Sequence, residues 1–105
     1  MKKILLVATG GTIASTASTE GLAPAFNAEQ LLAYLPEIKG LCRVDGICAM
    51  RIDSTNMTPS LMARIAETIY RHYHDYEGFV VTHGTDTMGY TSAALTYMLQ
   101  NIKKP

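Results

Sequence analysis

The chain has 105 residues, of which 48% are apolar and only 17% charged, so it has single-domain length and enough apolar content for a core. That composition excludes a disordered segment. Nine basic and nine acidic residues cancel, leaving no strong positive field of the kind that attracts nucleic acid or an anionic membrane, so the expected partner is a small molecule.

Met1, Lys2 and Lys3 lead directly into the apolar stretch Ile4-Leu5-Leu6-Val7-Ala8, and Lys3 to Ala8 is a continuous β-prone run of the kind found in a strand covered on both faces. It breaks at Thr9-Gly10-Gly11, too soon for a signal segment or a membrane span, and a cytoplasmic protein is expected. Residues 15–26 are rich in Ser, Thr, Gly, Ala and Pro without periodicity and are expected to be mobile. Asn27, with Gln30 at the capping-box position, opens a helix that stops before Pro36. Asp45-Gly46 is a turn signal, after which residues 47–52 are expected to form the second strand, ending in Asp53-Ser54-Thr55-Asn56.

Thr58-Pro59 starts a helix whose Leu61, Ile65, Ile69 and Tyr73 recur at close to the helical period, with Arg64, Glu67 and Arg71 outward. Phe79-Val80-Val81-Thr82 is a third buried strand, and His83-Gly84-Thr85-Asp86-Thr87 turns into a helix carrying Tyr90, Ala94, Tyr97 and Met98. The alternation predicts an α/β fold: a parallel, doubly wound, three-layer sheet with right-handed crossovers. Residues 100–105 close the last helix where a further strand is expected to begin. Cys42 and Cys48 lack a metal-type spacing and are expected to be buried, reduced thiols; His72 and His74 are expected to be solvated, and no metal site is expected.

In a doubly wound sheet ligands sit at the carboxyl ends of the strands, so three polar turns share one edge. Thr9-Gly10-Gly11-Thr12 lets the backbone bend tightly beside a ligand, with N–H groups free for a developing oxyanion and Thr12 as an exposed nucleophile. A glycine turn with locally bonded threonines explains the same residues. The third glycine of a dinucleotide fingerprint and the Gly-Lys-Ser/Thr of a phosphate loop are both missing. Gly84-Thr85-Asp86-Thr87 is either a helix cap or the partner that a weak hydroxyl nucleophile needs to move its proton. Asp53-Ser54-Thr55 either caps the following helix or offers hydroxyl and backbone donors to a substrate carboxylate. His83 fits a packed or hydrogen-bonded structural group better than a catalytic one.

Thr9-Gly10-Gly11-Thr12-Ile13-Ala14 and His83-Gly84-Thr85-Asp86-Thr87-Met88 resemble the two signatures of bacterial-type L-asparaginases. The segment 53–59 between them resembles that of the cytoplasmic, type I branch, and the resemblance covers essentially the whole chain. It implies the N-terminal domain of that fold, truncated at residues 1–105, with the C-terminal domain absent. It also implies hydrolysis of the side-chain amide of L-asparagine to aspartate and ammonia through a threonine-bound acyl intermediate, without metal or cofactor. Thr12 matches the nucleophile, and Thr85 with Asp86 match groups that activate nucleophile or water and hold the substrate's amino group. Ser54, with Asp53 and Thr55, matches the α-carboxylate segment, while Gly11 and Gly84 line the substrate in the same motifs.

The lysine that completes the Thr85 and Asp86 arrangement falls in a later segment, and Leu22 stands where the family has a loop tyrosine. The resemblance further implies a homo-oligomer at full length, and the 105-residue piece alone is expected to be inactive and to self-associate or be poorly stable. Two other readings are the ammonia-releasing subunit of the archaeal glutamyl-tRNA amidotransferase and a noncatalytic asparagine-binding module. The first carries an extra domain before the first signature, whereas here that signature begins at Thr9.

Overall fold

The computed structural model describes residues 1–10 and 33–105 in full, and residues 15–18 and 21–24 as backbone strands. Three strands form one parallel sheet: β1 (Lys2–Ala8) in the centre, β4 (Cys42–Cys48) on one side and β5 (Gly78–Thr82) on the other, in the order β4-β1-β5. Leu5 lies opposite Asp45 and Phe79, and Ala8 lies opposite Cys48 and Thr82, so all three strands end at one edge. The chain runs outward from β1 to β4 and then returns across β1 to β5. That reversal is the doubly wound arrangement the sequence predicts, and it puts the topological switch point between β1 and β5.

The core follows from the apolar run of β1. Leu5 and Val7 are fully buried on one face, packed with Ile65, Ala66 and Ile69 of helix α1 (Pro59–His72) and with Leu99. Leu6 is also buried, on the opposite side of the pleat, so both faces of β1 are covered. Each such buried aliphatic side chain contributes about 1.5–3 kcal/mol. Helix α1 starts where its sequence says: the Thr58 hydroxyl accepts from Leu61 N–H at 3.3 Å and Pro59 occupies the first turn. Beyond its end, Lys104 Nζ donates to the carbonyls of Tyr73 and Tyr76 and sits over the Tyr73 ring, tying the later chain to this helix terminus. Helix α2 (Met88–Met98) packs beside α1, with Thr91 and Leu95 facing inward and Tyr90 and Tyr97 outward.

Four expectations need correction. Residues 15–26 contain an antiparallel pair, β2 (Ser15–Ser18) and β3 (Gly21–Pro24), with Ala17 opposite Leu22. Backbone pairing of two four-residue strands leaves no amphipathic period to detect. Asp45-Gly46 is not a turn but the middle of β4, which ends at Cys48 rather than running from 47 to 52. Pairing with β1 overrides the local turn preference, and the Asp45 carboxylate is satisfied by Tyr76 Oη at 2.9 Å and by Arg43 at 3.3 Å. Cys42 and Cys48 are free thiols, but neither is buried: Cys42 is half-buried and Cys48 is exposed, at the two ends of the edge strand β4. His72 is half-buried, its Nδ1 bonded to the Thr68 carbonyl at 2.8 Å, whereas His74 is exposed as expected.

The helix ending before Pro36 appears at residues 33–34, followed by a 3-10 turn over Pro36–Gly40; Asn27 and Gln30 lie outside the described residues. After α2 the chain returns alongside β5, where the Pro105 carbonyl accepts from Phe79 N–H at 2.9 Å. Among the described residues, no helix is long and apolar enough to cross a membrane.

Candidate active site

The switch-point edge is held together by specific bonds between the strand ends. Buried Thr9, the first residue after β1, donates from its hydroxyl to the Thr82 carbonyl at 2.6 Å, joining the ends of β1 and β5 across the switch point. The loop after β4 is drawn over the same edge, because Ala49 N–H donates to the Ala8 carbonyl at 2.9 Å and Ile52 N–H to the Thr9 carbonyl at 3.1 Å. Gly10 makes this approach feasible. Its φ is +92°, and an added Cβ would lie 2.7 Å from the Ile52 carbonyl oxygen and 2.9 Å from its nitrogen. The glycine therefore serves close backbone approach between two loops as well as the turn itself. Gly11 and Thr12 lie outside the described residues.

Asp53 takes the structural role open to it: its carboxylate accepts from Thr55 N–H at 3.1 Å and caps a 3-10 turn over Ser54–Asn56. The longer helix behind it is capped by Thr58 instead. Ser54 is buried, Thr55 is exposed, and the Ser54 carbonyl accepts from the Thr87 hydroxyl at 2.7 Å. Thr87 occupies the N-cap position of α2, yet its side chain makes no cap bond there. It joins the loop after β5 to the loop after β4, so the structural reading of that threonine as a helix cap does not hold.

Thr85 and Asp86 stand exposed between these anchors, and neither side chain hydrogen-bonds another described residue. Gly84 is buried. His83 is buried as the sequence predicts, with its ring Nδ1 2.7 Å from the Gly84 carbonyl. Among the described residues, three buried polar atoms remain without partners: Thr82 Oγ1, His83 Nε2 and Thr91 Oγ1. All three belong to β5, the turn after it, or the first turns of α2.

The structure thus brings Ser54, Asp53 and Thr55 onto the same edge as Gly84, Thr85 and Asp86, with the Thr9-Gly10 turn between β1 and both loops. Two contributors escaped the sequence reading: the Thr9 and Thr87 hydroxyls as ties between loops. Their one sequence signal is a polar side chain at a strand end or helix start, which local capping explains equally well.

Fold and site together define an α/β protein of the doubly wound class that carries exposed hydroxyl and carboxylate side chains, Thr85 and Asp86, on the loop after β5 beside the β1/β5 switch point. Comparison gives the family: the domain model "Asparaginase, N-terminal" matches residues 3–105, and the chain belongs to that family. It is 43% identical over 108 aligned residues to L-asparaginase 1 of Escherichia coli (strain K12), an alignment covering 99% of this chain and 32% of the relative. It is 42% identical to a subunit of the glutamyl-tRNA(Gln) amidotransferase of Pyrococcus abyssi, covering all of this chain and 25% of that protein. Among solved structures, the probable cytoplasmic L-asparaginase from Campylobacter jejuni superposes with a TM-score of 0.77 at 32% identity, covering 90% of this chain and 28% of that one. The thermostable L-asparaginase from Thermococcus kodakarensis gives 0.75 at 33% identity, covering 90% and 29%. The chain therefore spans about a third or less of the length of these relatives.

Proposed function

We propose that the chain supplies the front half of an amidohydrolase site that cleaves the side-chain amide of L-asparagine to L-aspartate and ammonia. The observation carrying this reading is the Thr9–Thr82 bond, which joins the ends of β1 and β5 where the His83–Thr87 turn begins, in a chain of the asparaginase family. In this reading Thr12 Oγ1 attacks the amide carbonyl and loses its proton toward a neighbouring base. The tetrahedral intermediate collapses with cleavage of the C–N bond, and the nitrogen takes up a proton and leaves as ammonia. Water then hydrolyses the threonine ester, releasing aspartate and restoring the hydroxyl. Thr85 and Asp86, exposed and free of other described bonds, serve as the proton-moving hydroxyl and the carboxylate that holds the substrate's α-ammonium. Ser54, flanked by Asp53 and Thr55 on the bonded neighbouring loop, takes the α-carboxylate, with Gly11 and Gly84 allowing close approach. A cytoplasmic homo-oligomer belongs to the same reading, its location supported by the Campylobacter jejuni neighbour described as cytoplasmic.

The test is ammonia release from L-asparagine by the natural full-length protein and by its Thr12→Ala variant. Turnover by the first and its loss in the second are expected. Wild-type turnover that survives Thr12→Ala would remove the nucleophile from this threonine, and tight asparagine binding without turnover would favour a binding module. A second reading rests on the amidotransferase relatives, which match this chain almost as closely as the asparaginases do. It predicts a preference for L-glutamine and ammonia release that rises when glutamyl-tRNA is supplied with the rest of the amidotransferase.

A further inference from the structure

Resting on the asparaginase-type reading, we propose that His83 is a positioning residue that sets the Gly84–Thr85 peptide plane and thereby aims Thr85 at the reacting amide. A carbonyl oxygen can only accept, so the 2.7 Å contact between His83 Nδ1 and the Gly84 oxygen makes Nδ1–H the donor. The contact is buried, and His83 itself is 7% exposed. In a trans peptide the C=O of one residue and the N–H of the next point in opposite directions. Holding the Gly84 carbonyl toward the buried ring therefore turns the Thr85 N–H away from that ring, in a loop whose Thr85 and Asp86 are exposed. At the other end of the loop, Thr87 Oγ1 holds the Ser54 carbonyl at 2.7 Å. The two residues read as catalytic thus stand between two fixed points, which is the pre-organisation that a reacting geometry needs.

The other ring nitrogen adds an independent argument. Nε2 is buried with no partner among the described residues. An unpartnered buried polar atom is costly, and a leucine of similar size would fill the space without one. The property that imidazole has and leucine lacks at this place is the Nδ1 donor.

Three variants of the natural full-length protein separate positioning from packing. His83→Asn places an amide nitrogen where Nδ1 sits, His83→Gln places it one bond further out, and His83→Leu removes the donor at similar volume. From L-asparagine, the Leu and Gln variants are expected to lose about tenfold to a hundredfold in kcat with KM changed less than about threefold, while the Asn variant stays within about threefold of wild type. A Leu variant with wild-type kcat, or an Asn variant that falls as far as Gln, overturns the proposal whatever the melting temperatures; if the Leu variant does not fold, Asn against Gln decides.

The Thr85 backbone amide resonance supplies a readout that needs no turnover: it should shift in Gln and Leu and return in Asn. Absence of wild-type ammonia release with that resonance pattern intact would sink the asparaginase reading while keeping the role of His83 in the peptide plane. An unmoved resonance in both Gln and Leu sinks the inference itself.

Discussion

Gly10 carries the sharpest residue-scale consequence, because its backbone sits at φ +92° and its missing Cβ would strike the Ile52 main chain at 2.7 Å. Neither atom at that contact belongs to a flexible side chain, so the clash has no inexpensive relief. Gly10→Ala is expected to lower stability by more than about 1 kcal/mol and to shift the 49–53 segment, read by urea unfolding and by chemical-shift changes around Ile52. Asp45 gives a pH prediction. The Tyr76 hydroxyl donating to its carboxylate, helped by Arg43 and Lys3, holds it below the usual carboxylate range. A depressed folded-state value contributes stability above the ordinary aspartate range, and that contribution is lost as pH falls through the folded-state value. Tyr76→Phe should therefore lower stability near neutral pH more than in strong acid, flattening the acid limb of a stability-against-pH curve. A uniform offset at every pH would assign the effect to packing instead.

At the scale of elements, α1 binds the two halves of the sheet into one core, and its cap and its stripe can be tested separately. Thr58→Ala removes the acceptor for Leu61 N–H and is expected to cost about 0.5–2 kcal/mol. Ile65→Ala, at a fully buried position against β1, should cost about 2–5 kcal/mol. Denaturant midpoints at unchanged slope check both. Helix boundaries of this kind were legible in the sequence because a threonine-proline start and an apolar stripe are local signals. The boundary of β4 was not. Asp-Gly is a turn signal in isolation, and only the register that sets Asp45 opposite Leu5, with Tyr76 within reach from thirty-one positions later, keeps it extended. The four-residue β2–β3 pair was missed for a related reason, since its pairing is a matter of backbone contact and leaves no pattern in side-chain polarity.

For the whole molecule, the outward face of α2 and the outer strand β5 are the features to explain. Tyr90 is 74% exposed, Tyr97 77% and Val80 51%, and α2 carries no charged residue along its length. An uncharged helix with two large exposed tyrosines offers an apolar outer patch of the kind that is normally covered. The 105-residue chain by itself is therefore expected to self-associate, giving a concentration-dependent mass in sedimentation velocity; a well-folded monomer at all concentrations would contradict this. Substituting Tyr90 and Tyr97 together by lysine should reduce that association without loss of helix content.

The sequence by itself determined the fold class, the central strand, the start of α1 and the polar motif loops at the sheet edge, because each rests on short-range signals: an uninterrupted apolar run, a cap, a glycine turn. It also marked His83 as a packed, hydrogen-bonded group, which the burial of the ring and its bond to the Gly84 carbonyl bear out. What only the tertiary structure decided is how the loops meet. The Thr9–Thr82 and Thr87–Ser54 bonds join residues 73 and 33 positions apart, and a hydroxyl's choice between its own helix and a distant carbonyl is made by the strand order that brings the carbonyl near.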